Sequence, residues 1–510
     1  MIDVKKVLDG LPQRISHIPF AREQDNPEAA ALIVDNEEWS YGRLCHQIRT
    51  VTDELKRLDI RGGDRVLLVG ENGLSLITLI MAVSECDAWP VIVNARLSAR
   101  EIDLFRDHCG ARRVFYTTDI SPEAAEHAAR QGGTALDLDG MPTMAVSALN
   151  DVCAPEPVHA DGAAQVGAMI YTSGTTGNPK GVMLSHRAMM YVAAVSGAIR
   201  GLKSTDRTYA VLPVSHIFGL ASTLLGTLTA GAAVRLAPRF APDDVLASLR
   251  QEGITVLQGV PAMYAKLLEH LNDRDEDLNA PDIRYLSAGG SPLDVNLKLA
   301  VEALFGVILN NGYGLTECSP TVSQTRIDTP CSDDTVGPLL PGLKVRFLDD
   351  SGKAVAAGEA GELWVSGPNL MLGYYHAPQM TAEVLTPDGW YRTGDIARIN
   401  EDGNLYIVGR AKEMIIRSGF NVYPEEVESV LNSHPDVTLS AVIGRDSDGG
   451  GDLVAFVQQV PGGSTTADQL SAFVKDLLVP YKRPTDIRML EALPASATGK
   501  ILKSVLREQI

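Results

Sequence analysis

The sequence predicts an α/β protein with a large N-terminal domain of two α/β lobes plus a β-rich subdomain, followed by a small α+β C-terminal domain. Three observations carry this. Helical periodicities alternate with short, nearly continuous apolar runs in two successive stretches, the pattern of parallel strands buried on both faces. Beyond residue 335 the runs shorten and D-G and E-D-G-N turns separate them, as in antiparallel hairpins. The end of the chain reads as a compact unit in which single helices and strands follow one another.

In the first lobe, Leu44, Ile48, Val51, Leu55 and Leu58 recur at the spacing of one helical face. A strand follows at RVLLV (65–69), then a helix near 73–85 and the apolar run WPVIV (89–93). Ser98 precedes Glu101 by three, a capping box, and Gly110 is placed to end that helix before the strand RRVFY. The second lobe holds the predicted strands TYAVLPV (208–214), AAVRLA (232–237) and ITVLQGV (254–260). KVRFLDDSGKAV and NEDGNLYIVG supply the β-rich part. A helix from Pro424, the strands LSAVIG and LVAFVQQV, and a helix from about Thr466 make the last unit.

The 510 residues carry a net charge of −19, which argues against general nucleic-acid binding, because affinity for the phosphate backbone comes from basic patches. The six cysteines show neither a C-x-x-C pair nor zinc spacing, so a reducing, cytoplasmic setting is expected. No signal peptide, transmembrane run or lipidation signal is read.

The stretch YTSGTTGNPKGVMLSH (171–186) follows the apolar Val166, Ala168, Met169 and Ile170. Glycines let the backbone come close to a ligand, hydroxyls add donors and Lys180 supplies charge, a composition suited to an anion and also open to reading as a mobile surface loop. It is not a Walker A loop: Pro179 stands where that motif requires glycine.

TSGTTGNPKG resembles the phosphate-loop signature of the adenylate-forming superfamily of acyl- and aryl-CoA synthetases, luciferases and peptide-synthetase adenylation domains. NGYGLTE (311–317), YRTGD (391–395), GRAKEMI (409–415) and PASATGK (494–500) resemble its later signatures in order, so the resemblance spans essentially the whole chain. It implies an AMP-forming acyl-CoA synthetase that uses ATP, Mg2+ and coenzyme A. Such an enzyme makes an acyl-adenylate and then a thioester.

By that resemblance Thr172, Ser173, Gly174, Thr175, Thr176, Gly177 and Lys180 would hold the β- and γ-phosphates. Gly289, Gly290, Ser291, Asn311, Gly312 and Gly314 would line the nucleotide site, with Tyr313 against adenine. Thr316 would touch phosphate, and Glu317 would ligate magnesium, a hard cation that favours carboxylate. Asp395 would take the ribose hydroxyls, with Ile407 and Arg410 beside it. Lys500 would stabilise charge at the α-phosphate, and PASATGK also resembles a lysine acetylation site, so an acetyltransferase and a deacetylase are implied partners. Domains of 1–411 and 412–510 follow, with Lys412 as hinge and Arg417, Ser418, Gly419 and Phe420 facing coenzyme A after rotation.

The stretch LPVSHIFGL (212–220) has no carboxylate, which argues against an amino-acid substrate. His216, Phe218, Gly219, Val260, Gly290, Gly314 and Pro320 are the expected acyl wall, and its small and apolar residues suit a fatty or aromatic tail. His216 is read as bordering the carboxylate, with a structural core histidine as the alternative. The acceptor is coenzyme A or, alternatively, a carrier protein supplied in trans. The glycine-rich loop at 447–451 departs from the family pattern, and a monomer and a homodimer both remain open.

Overall fold

A computed structural model describes residues 2–35, 37–172, 179–349, 351–417, 420–445, 452–460, 462–495 and 501–510, with only the backbone at Asn421. Two eight-stranded sheets form the two lobes. In the first, the strands Arg65–Gly70, Trp89–Asn94, Arg113–Tyr116 and Val166–Thr172 run parallel. Both faces are buried: Val66 and Leu68 enter the core between the lobes, while Leu67 and Val69 enter an outer core with Ile102, Ala124 and Ala128 of the outer helices. That double burial is why these strands read as unbroken apolar runs.

Between the sheets lies the helix Leu74–Glu85, buried over residues 74–84. Its apolar character all round is what a helix sandwiched by two sheets requires. The helix His186–Ile199 and the π-helix Phe218–Leu225 share that layer. The capping box at Ser98 forms, and Gly110 closes its helix at φ 57°, as the sequence predicts.

Three details depart from the sequence reading. The second lobe's sheet recruits the N-terminal strands Ala30–Val34 and Glu37–Ser40, because Ala30–Val34 pairs in parallel with Ala233–Leu236. Of the run 208–214, only Arg207–Ala210 is strand. Beyond it the buried Asn72 takes over the backbone bonding: its Nδ2 donates to the carbonyls of Ala210 (3.1 Å) and Leu212 (3.0 Å), and its Oδ1 accepts from the Val214 N–H (2.9 Å). In KVRFLDDSGKAV, the strand Lys344–Leu348 pairs with Gly361–Ser366, and its turn partner supplies one isolated bridge.

The β-rich part is a five-stranded antiparallel sheet that includes the hairpin Tyr391–Ile399 and Asn404–Arg410. The last unit has cores of its own on either side of the strands Val437–Arg445, Asp452–Gln459 and Asp486–Leu490. The helices Pro424–Asn432 and Ala467–Leu477 cover one face, and Leu506 of Lys503–Arg507 packs on the other. The expected α/β class and the division into two lobes, a β-rich part and a smaller α+β part are what the structure has.

Candidate active site

The site forms where strands of both lobes end, the usual place for a ligand crevice in parallel α/β sheets. The strands Val166–Thr172 and Lys180–Ser185 form an antiparallel hairpin that sets Thr172 opposite Lys180. Ser173, Gly174, Thr175, Thr176 and Gly177 lie outside the described residues, as do Lys500, Ser418, Gly419 and the loop 446–451.

Lys180 points over the ring of Tyr374, its Nζ 5.5 Å from the centroid. The Tyr374 hydroxyl donates to Glu317 Oε1 at 2.8 Å. The lysine of the glycine-rich loop and the glutamate of NGYGLTE are thereby joined through one side chain. Burial followed by the Glu317 charge pushes the Tyr374 phenol well above its ordinary range, so it stays a donor. Sequence reading missed Tyr374, and only pairing of Gly373–Tyr374 with the Lys180–Ser185 strand brings it here.

A second group forms around Asp395. The Tyr313 hydroxyl donates to Asp395 Oδ2, and Arg410 Nε lies 3.1 Å from Asp395 Oδ1. Asp395 and Arg410 are direct partners across their hairpin, so the ladder itself sets the ion pair. Burial, then the Asp395 charge, holds the Tyr313 phenol protonated well above its usual pKa. Ile407 stands on the same strand, partly buried against the core. Thr316 is buried in the 3-10 turn Thr316–Cys318 that presents Glu317. The Asn311 amide donates to the carbonyls of Asp334 and Thr335, and its Oδ1 accepts from the Gly312 N–H.

Of the expected acyl residues, Phe218, Val260 and Gly290 meet just beyond the strand Tyr285–Ala288. A Cβ on Gly289 would meet the Phe218 ring at 3.2 Å, and one on Gly290, where φ is +85°, would meet Val260 at 3.6 Å. Ser291 follows in the same bend. Gly219 and Gly314 are small for a packing reason: a Cβ would lie 2.3 Å from the Pro213 carbonyl oxygen and 2.2 Å from that of Pro320, respectively. His216 Nδ1 accepts the Phe218 N–H at 3.3 Å, which places the proton of the neutral ring on Nε2.

Lys412 is exposed in the 3-10 turn Ala411–Glu413. Arg417 donates to the carbonyls of Tyr481 and Arg483, and Phe420 stacks on Tyr481 at 4.4 Å, so the described residues expected to face coenzyme A are held within their own unit.

The profile of the AMP-binding enzyme family matches residues 20–375, and that of the AMP-binding enzyme C-terminal domain matches residues 426–500. The chain belongs to the AMP-binding enzyme family. This AMP-binding enzyme is 34% identical over 502 residues to a feruloyl-CoA synthase of Amycolatopsis sp, covering 98% of this chain and 99% of that one. It is 30% identical over 532 residues to 4-coumarate–CoA ligase 2 of Oryza sativa subsp. japonica, covering 97% and 93%. Among solved structures, ATP-bound MatB from Rhodopseudomonas palustris superposes with a TM-score of 0.83 at 29% identity, covering 98% and 99%. A benzoate CoA ligase from Burkholderia xenovorans gives 0.84 at 26% identity, covering 97% and 99%.

Proposed function

We propose that this AMP-binding enzyme is an AMP-forming acid–CoA ligase whose acid is aromatic. It activates a hydrophobic carboxylate with ATP to an acyl-adenylate and passes the acyl group to coenzyme A. One observation carries the reading: Lys180 and Glu317 converge through Tyr374, with the Tyr313–Asp395–Arg410 group close by in the chain. A cation for phosphate, a carboxylate for a divalent metal and a phenol–carboxylate pair for a nucleoside are the complement of MgATP.

In this reading Thr172 and Lys180 take the β- and γ-phosphates, and the lysine charge offsets that of the departing pyrophosphate. Glu317, whose Oε2 has no hydrogen-bond partner among the described residues, would hold magnesium. When bound, that ion withdraws charge from the phosphates. Asp395 accepts from the ribose, and Arg410 holds its carboxylate in place. His216, with Nε2–H as donor, borders the acid carboxylate. Phe218, Gly289, Gly290 and Val260 form an apolar wall without lysine or arginine, and relatives named for ferulate, 4-coumarate and benzoate support an aryl acid over a fatty one.

Lys500 is assigned the charge at the α-phosphate, in a C-terminal domain of 412–510 that turns about Lys412 to bring Arg417 and Phe420 toward coenzyme A. Lys500→Ala abolishes adenylation yet keeps thioester formation from preformed acyl-adenylate; equal loss of both halves would refute the alternation. Acetylation of Lys500 by an acetyltransferase, reversed by a deacetylase, would silence the same half by removing the charge. All six cysteines are free, which supports a cytoplasmic setting, and no helix among the described residues is long and apolar enough to cross a membrane.

The test is pyrophosphate release across benzoates, cinnamates, fatty acids and dicarboxylates, with and without coenzyme A. Release with cinnamates and matching aryl-CoA supports the reading. Release without thioester assigns the acyl group to a carrier protein, and preference for fatty acids overturns the aryl assignment.

A further inference from the structure

Tyr374 belongs to none of the stretches that carry the sequence resemblance, yet it touches two of their charged residues. Its chain segment is stitched to both sides of the site. The Met371 N–H donates to the backbone carbonyl of Glu317 at 2.8 Å, and the N–H groups of Leu372 and Tyr375 donate to the carbonyls of Met183 and Gly181 at 2.9 and 2.8 Å. The Tyr374 N–H is fixed by Thr381 Oγ1 at 2.9 Å. The backbone bearing this ring is therefore tied both to the turn bearing Glu317 and to the strand bearing Lys180. The side chain is 5% exposed and has two rotatable bonds to lose.

Lysine and glutamate are long and flexible, and in a partly buried crevice they attract each other. Brought into contact they would neutralise each other, and a triphosphate and its metal would have to part them to enter. In this structure both charges are engaged by the intervening tyrosine instead. The ring face takes the ammonium, a contact its quadrupole favours. The hydroxyl takes one carboxylate oxygen, and the other has no hydrogen-bond partner among the described residues.

We propose that Tyr374 is a positioning residue for the MgATP half-reaction, a rigid spacer that holds Lys180 and Glu317 apart and aimed at the phosphates and metal. The inference rests on the ligase reading above. Removing the hydroxyl frees Glu317 to rotate; removing the ring also frees Lys180.

The experiment is equilibrium binding to the full chain without any acid: ATP and pyrophosphate by calorimetry in EDTA, and Mn2+ by electron paramagnetic resonance in the presence of ATP. Tyr374→Phe and Tyr374→Leu are compared with the parent, with Glu317→Gln and Lys180→Ala as references. Tyr374→Phe is expected to raise the Mn2+ half-saturation about 10-fold, the usual cost of losing a partner that orients a metal ligand, with metal-free ATP affinity unchanged. Tyr374→Leu is expected to weaken metal-free ATP and pyrophosphate binding by a further factor of about 3, matching the loss of a cation–π contact. A Phe variant with the parent's Mn2+ curve, or a Leu variant with the parent's metal-free affinity, would overturn the spacer role. A parent that binds ATP without any metal dependence would overturn the ligase reading, and the inference with it.

Discussion

Glu425 offers a pH-dependent test of the packing beside the proposed hinge. It lies in the first turn of the helix Pro424–Asn432, and a Cβ on Gly409 would come within 2.7 Å of its Oε2. That oxygen is buried without a hydrogen-bond partner among the described residues. Lys503 gives its ammonium to Glu413 at 2.8 Å and Glu428 at 2.9 Å, with Glu425 a third carboxylate near the same cation. Burial pushes the Glu425 carboxyl up from 4.5 to about 7, with Glu428 and Glu413 adding to it and Lys503 opposing.

The folded protein thus holds a proton that the unfolded chain releases near pH 4.5. The contribution of Glu425 to stability is fully present below that pH and is lost as pH rises through about 7, a cost of about 3 kcal/mol. Glu425→Gln keeps the shape and stays neutral. Its unfolding in urea, read by pulse proteolysis of the C-terminal unit, should show a gain of about 3 kcal/mol over the parent at alkaline pH. The gain should shrink as pH falls through 7 toward 4.5. A gain independent of pH, or a loss at every pH, would refute the argument that Glu425 is held neutral by burial beside Gly409.

Asp395→Asn retains an acceptor for Tyr313 but loses the charge facing Arg410, so AMP affinity by calorimetry should fall about 10-fold with the fold intact. Gly289→Leu drives a side chain into the space before Phe218, and kcat/KM for cinnamates should fall by at least about 10-fold while a short acid is retained. Asn72→Ala strands three buried backbone groups at 210–214 and should cost about 3 kcal/mol in denaturant unfolding, with KM for the acid rising more than KM for ATP because that segment leads to His216.

Local signals made much of the architecture legible. The Ser98 box, the Gly110 cap and the 44–58 periodicity depend on neighbours within a turn or two, and the chain states them directly. The run 208–214 was not legible as it folds, because Asn72, far away in sequence, replaces ladder partners with its own amide. The place of Ala30–Val34 in the second lobe's sheet was also hidden, since nothing local says which of two sheets an apolar strand will join.

The order of motifs from 171 to 500 by itself determined the family resemblance, and the roles proposed for Lys180, Glu317 and Asp395 follow from that resemblance. The sequence also determined the succession of α/β, β-rich and α+β parts, because burial on two faces and on one face leave different periodicities. Only the tertiary structure decided that Tyr374 stands between Lys180 and Glu317, that Asn311 is spent on the carbonyls of Asp334 and Thr335, and that Gly219 and Gly314 serve close packing. Those roles depend on which distant backbone lies within about 3 Å of a side chain, a consequence of strand pairing that no local pattern records.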